Sequence, residues 1–316
     1  MLLVLIGFHL YKELFTKPSF DAEVFFIKNE IQKSGVGLLL LTILLMVVQW
    51  FNEAVKWKVL MSSSYPFSFL ASLKMIFSGL TFSFITPFKS GEFIGRIMYL
   101  PEEKRVIGTV YTFYSSVIQF IIYISLGAIS CWLFDYTHVL GSASISMMEG
   151  FLFLKSISGL VLIISMIFLF SQKFIIRKIF SVGFLKKFSA YTNEFLSIQW
   201  QQTLIVVILT IIKCLIFILQ YWLIFQWIGL GLTFNQVFMG VSIMVFGLAI
   251  MPTISFIEIG LRWEFSYFIF SFFTENLLAV TIGTTLIWFL NIVLPSVIGA
   301  LLIFVKKPFS TRSKKM

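Results

Sequence analysis

Aspartate is nearly missing from this chain. Asp21 and Asp135 are the only two in 316 residues, so there is no DxD or DDxxD motif to hold a divalent metal at a sugar or prenyl transfer site. Histidine is as scarce. His9 and His138 stand far apart and away from any carboxylate pair, which argues against a His-based triad and against a zinc site. Cys131 and Cys214 both lie in apolar runs, lack CxxC spacing and suggest no disulfide framework. Charge is the largest deficit. Only 12% of residues are charged and 59% are hydrophobic, whereas a soluble domain carries about 25% charged residues. A water-soluble globular protein is excluded.

Apolar runs of about 20 residues are plentiful, each enough to cross hydrocarbon as a helix. A barrel would show short alternating strands instead. The fold class is therefore an all-α polytopic membrane protein, with about six to seven transmembrane helices and two re-entrant or broken helical hairpins. The net charge of +10 comes from Lys and Arg gathered at segment ends. That pattern fits cytoplasmic loops and anionic lipid headgroups, and it does not fit a nucleic-acid surface.

Residues 1–10 are apolar but only half a span long and lack a signal-peptide cleavage site. They read as the tail of a helix or as a short buried helix. Residues 11–34 read as interfacial. A span begins at 35 and continues to Lys58, with Lys56, Trp57 and Lys58 as interface anchors. The apolar run 67–85 holds Lys74 and breaks at Pro87, and the run 232–251 breaks at Pro252. Further spans read as 106–134, 151–170, 203–228 and 277–305, the last interrupted by Asn291 and Pro295. Gln49, Asn52, Gln119, Gln220 and Asn291 are expected to hydrogen-bond between helices.

The most basic loop, 171–200, and the basic tail belong in the cytoplasm by the positive-inside rule. The loop 135–150 has no Lys or Arg and belongs outside. The chain then reads as one membrane domain: a first unit at about 35–134, a linker helix at 151–170 and a second unit at about 203–305. Each unit is span–hairpin–span, and the two have opposite orientations, as in an inverted repeat. Lys12, Lys17, Lys28 and Lys33 run against this topology, because it puts them outside. The expected location is the inner (cytoplasmic) membrane of a bacterium, with the C-terminus cytoplasmic.

Two polar runs stand out. One is Thr86-Pro87-Phe88-Lys89-Ser90-Gly91-Glu92-Phe93-Ile94-Gly95-Arg96, and the other extends from Pro252 to Glu264. Pro87 and Pro252 are 165 positions apart, and Glu92/Glu258 and Arg96/Arg262 are 166 apart, so one inserted residue aligns all three. The i,i+4 spacing sets each Glu and Arg on one helix face. Two readings stay open. The pairs satisfy each other at an interface, or they line a cavity where Arg holds a phosphate and Glu orients it or moves a proton. Candidate substrate-binding residues are Lys89, Glu92, Arg96, Lys213, Glu258 and Arg262. Lys213 is included because it lies mid-span, about 15 Å from a helix end. Pro87, Gly91, Pro252 and Gly260 are candidate hinges. No cofactor is called for.

At these runs the chain resembles the lysylphosphatidylglycerol synthase transmembrane region, a flippase-like domain family. The resemblance rests on Pro87, Lys89-Ser90-Gly91-Glu92 and Arg96, and on Pro252 with Glu258-Ile259-Gly260-Leu261-Arg262. It covers roughly 35–305. Ser255-Phe256-Ile257 departs from the glycine-rich form of the second motif. The resemblance implies translocation of an anionic, aminoacylated or glycosylated lipid between leaflets, with a membrane phospholipid or glycolipid as partner. No stretch after Val305 is long enough for an aminoacyl-transfer domain, so the chain is not expected to act as an enzyme on lipid. Two alternative readings are a non-transporting membrane partner of a lipid-modifying enzyme and a polyprenyl-phosphate-linked glycosyltransferase.

Overall fold

The structure, a computed structural model, describes residues 20–87, 89–133, 145–179, 189–251 and 257–305. The predicted hinge at Pro252, the apolar run 1–10 and the basic tail lie outside the described residues. All regular elements among those residues are helical. They are α1 (Phe20–Ser34), α2 (Gly37–Met61), α3 (Phe69–Ile85), α4 (Gly91–Ile97), α5 (Glu102–Leu133), α6 (Ile145–Ile179), α7 (Ser189–Leu196), α8 (Trp200–Trp227), α9 (Phe234–Ile250), α10 (Glu258–Phe270), α11 (Leu277–Trp288) and α12 (Leu294–Val305).

Five of these stretches are long and apolar enough to cross a membrane: α2, α5, residues 155–175 of α6, α8, and the continuous run from α11 through α12. The apolar helices α3 and α9 are shorter, at 17 residues each. The protein is a polytopic integral membrane protein. Local chemistry sets several starts. Ser68 Oγ accepts from the Ala71 N–H ahead of α3, and Asn276 Oδ1 accepts from the Ala279 N–H ahead of α11. Thr233 and Gln236 form a capping box at α9, and Gln199 and Gln202 form one at α8.

One sequence expectation is corrected in α2. Lys56 and Trp57 are not interface anchors. Both are buried, while Lys58 is exposed. The helix turns its Gln49–Glu53–Lys56–Leu60 face inward, so polar residues that read as an interfacial end belong to the protein interior.

Between α11 and α12 the chain makes a π turn, Phe289–Val293. Proline at position 295 removes a backbone donor, and its ring would crowd the carbonyl of residue 291 in a regular helix. The widened turn just before it accommodates the ring without ending the span. It also places Asn291, which donates to Gln220 Oε1 (3.1 Å) and accepts from Gln49 Nε2 (3.2 Å). Gln220 in turn donates to the Thr42 carbonyl. These amides tie α2, α8 and the π turn together, as expected of them; Asn52 likewise donates to the Leu209 carbonyl.

Packing between the two halves is reciprocal. Helix α2 lies along α8, α3 packs on α12, and α9 packs on α5. Within each half, α4 meets α5 and α10 meets α11. Small residues bring the crossing backbones close. Gly299 of α12 faces the Phe77 carbonyl, where Thr81 donates to the Ser296 carbonyl at 2.7 Å. Gly127 of α5 faces Phe246 and the Ser242 carbonyl of α9.

Candidate functional site

The site begins at the tip of the α3–α4 hairpin. Thr86 Oγ1 accepts from the Gly91 N–H at 2.7 Å and donates to the Phe82 carbonyl. Lys89 holds a left-handed backbone, φ 55°, a conformation that side-chain-bearing residues rarely adopt. The tight return is possible because α4 has glycine where it touches α3. A Cβ at Gly91 would strike the Phe82 carbonyl, and one at Gly95 would strike the Ser78 carbonyl and the Gly79 backbone. Gly91 therefore serves as a close-packing position at the start of α4. Gly260 is buried in the first turn of α10 and has no positive φ. Pro87 stands at the tip itself, one residue past the Thr86 cap of α3.

From α4, Glu92 and Arg96 form the i,i+4 ion pair through Glu92 Oε1 and Arg96 Nη2. In α10, Glu258 and Arg262 form the equivalent pair, with Glu258 Oε1 accepting from Arg262 Nε (3.0 Å) and Nη2 (2.5 Å). Lys89 reaches from the first hairpin to Glu258 Oε2 at 2.9 Å, so one ammonium joins the two motifs. Lys213, at mid-span in α8, donates to Gln119 Oε1 at 3.0 Å and lies over the Trp50 ring.

The centre of the site is a residue that the motif reading passed over. Glu53 of α2 is buried and binds three cations: Arg96 Nη2 at 3.1 Å through Oε1, and Lys56 Nζ at 2.9 Å and Lys213 Nζ at 3.0 Å through Oε2. It links Lys213 to the α4 pair. Its signal in the sequence is the Gln49–Glu53–Lys56 stripe, polar at helical spacing along an otherwise apolar span.

These groups share one cavity of about 530 Å³. All six predicted substrate-binding residues line it: Lys89, Glu92, Arg96, Lys213, Glu258 and Arg262. Glu53, Gln49, Gln119, Tyr123 and Asn291 join them, with apolar wall from Trp50, Phe217 and Trp288. Lys74, also singled out in the sequence, is not among the lining residues.

The guanidinium of Arg96 is only partly used. Its Nη2 serves both carboxylates, while Nε and Nη1 are buried without a hydrogen-bond partner among the described residues. The ring of Trp57 lies 5.4 Å from its centre. Arg262 is flanked in the same way by Phe217, at 5.8 Å. Aromatic walls that limit water around paired charges strengthen each electrostatic contact. Chemically, the arrangement offers fixed cationic donors to an anion and carboxylates that an incoming anion can displace. Among the described residues, no three His, Cys, Asp or Glu side chains gather where they could hold a metal.

Neither a curated protein nor a solved structure matches the chain. The family model described as lysylphosphatidylglycerol synthase TM region matches residues 22–299, which takes in both Glu–Arg helices, Glu53 and Lys213, and the chain belongs to that family of lipid-related, flippase-like membrane domains.

Proposed function

We propose that the cavity is the headgroup site of a lipid carrier that moves an anionic, aminoacylated or glycosylated lipid between leaflets. The observation that carries this reading is that both Glu–Arg helices, from distant parts of the chain, line one cavity. An isolated ionisable group in hydrocarbon is strongly disfavoured, and gathered ones mark substrate paths. The reacting event is exchange of partners. The phosphate oxygens of a headgroup take over Arg96 and Arg262, and the displaced carboxylates turn to Lys89 and Lys213. Lipid tails stay in the bilayer, and no bond in the lipid is made or broken, so the chain acts as a carrier and not as an enzyme.

The reading includes an inverted repeat of two units, about 35–134 and 203–305, each with a re-entrant hairpin. The reciprocal packing of α3 on α12 and of α9 on α5 supports it. Units of opposite orientation present the same site to opposite sides in turn. The proposed setting is the inner membrane of a bacterium, with the C-terminus cytoplasmic.

A second reading, a non-transporting partner of a lipid-modifying membrane enzyme, draws on the mutual pairing of the charges, since every carboxylate of the site already has a cation. Flux separates the two. Purified protein in liposomes should move a fluorescent phospholipid between leaflets, and Glu92→Gln should bring the rate to the protein-free level while the melting temperature stays close to wild type. Equal flux with and without protein favours the second reading.

A further inference from the structure

We infer that one face of α5, formed by Ser115, Gln119 and Tyr123, is a subsite for hydroxyl groups of the headgroup, so that the cavity selects a phosphodiester of a polyol or sugar over one of a simple alcohol. The inference rests on the lipid-carrying reading above and narrows its substrate. The three residues are spaced i, i+4 and i+8, which sets them one above another on a single helix face. They run about 12 Å along the helix. All three line the cavity, and all are uncharged. The Ser115 hydroxyl and the Tyr123 phenol have no hydrogen-bond partner among the described residues. Gln119 accepts from Lys213 through Oε1 at 3.0 Å and has its amide nitrogen left over. None of these atoms is sealed in protein as Nε and Nη1 of Arg96 are. Ser115 is 2% exposed, so the cavity is the outlet for its hydroxyl.

A buried hydroxyl or amide left unpaired costs free energy that a matching ligand group recovers. A site of this kind rejects an analogue that lacks the hydroxyl, because the analogue leaves the site's own polar groups unmet. The bond from Lys213 to Gln119 sets the stripe beside the cations of the cavity, where the alcohol substituent of a bound phosphate lies. A hydroxyl both donates and accepts, so it can serve Ser115 and Tyr123 and accept from the Gln119 amide. An ethyl group does neither. An ammonium cannot accept, and the Gln119 amide stays unmet. Trp50, Phe217 and Trp288 give apolar wall for the carbon faces of a polyol.

The test is competitive binding to the full chain in nanodiscs of phosphatidylcholine, read by native mass spectrometry. The probes are phosphatidylglycerol, phosphatidylinositol and phosphatidylethanol with the same acyl chains. All are singly charged phosphodiesters, so only the alcohol changes. Phosphatidylglycerol or phosphatidylinositol should bind about tenfold or more tightly than phosphatidylethanol. The tighter of the two tells a glycerol from a ring polyol as the source of the hydroxyls. Ser115→Ala together with Tyr123→Phe should bring the ratio toward parity, and Ser115→Ala alone should lower it. Each change removes one oxygen that has no protein partner, so the melting temperature should stay close to wild type. A purely structural effect weakens all three probes alike and leaves the ratio where it was. Parity in the wild type, or a preference that survives the double substitution, overturns the inference. If phosphatidylethanol binds and crosses liposomes as well as phosphatidylglycerol does, this inference falls and the carrier reading stands. If no probe binds and none is carried, both fall.

Discussion

Glu53 binds cations from three helices, Lys56 in its own, Arg96 in α4 and Lys213 in α8, at a position where its side chain is only 2% exposed. Removing its charge leaves the buried Lys56 without an anion and takes one carboxylate from Arg96 and Lys213. Breaking a buried pair from one side destabilises by about 3–5 kcal/mol, so Glu53→Gln should lower the melting temperature of the purified protein sharply. Glu92→Gln should do so far less, because the Glu92 side chain is 23% exposed and Arg96 keeps Glu53. Thermal melts of the two variants in detergent check the order. The i,i+4 pairs were legible in the sequence because a proline and glycines announce them. Glu53 was not, because Asn52, Lys58 and Trp57 around it also suit the end of a span at the headgroup layer. Only burial separates the two, and burial depends on α8 lying alongside.

At the scale of elements, the α3–α4 hairpin owes its shape to the absence of side chains at Gly91 and Gly95. A Cβ at Gly95 meets backbone, which cannot turn aside as a side chain can. Gly95→Val should therefore cost more than the usual 1–3 kcal/mol or so of overpacking. It should push α4 away from α3 and carry Arg96 off Glu53. Gly37→Ala is the comparison, since a Cβ there meets nothing within 4 Å. Lipid binding and melting temperature should both fall for the first and hold for the second. The break at the first hairpin could be read from Pro87 and the polar run after it. The π turn could not. Asn291 and Pro295 mark an interruption in the sequence, but whether a proline ends a helix, kinks it or is absorbed by a wider turn depends on neighbours that supply or remove hydrogen bonds.

For the whole molecule, the reciprocal crossings set a demand on topology. If the halves are inverted copies, the turn after α2 and the first turn of α9 face opposite sides. Cysteines at Ser63 and Asn235, in a background without Cys131 and Cys214, should then react with an impermeant thiol reagent from opposite sides; labelling from one side rejects the inverted repeat. Hydropathy made the class and the order of spans legible, but the packing of early helices on late ones is a long-range property with no local signature. The bridge from Lys89 to Glu258 has a consequence on this scale. The Lys89 side chain is 46% exposed, whereas Glu53 is nearly sealed. Dissolved ions screen exposed charges beyond roughly 8–10 Å and reach buried ones much less. Rising ionic strength in the bathing solution thus loosens the join between the two hairpins and leaves the Glu53 cluster intact, so the protein responds to salt at its mouth and not at its floor.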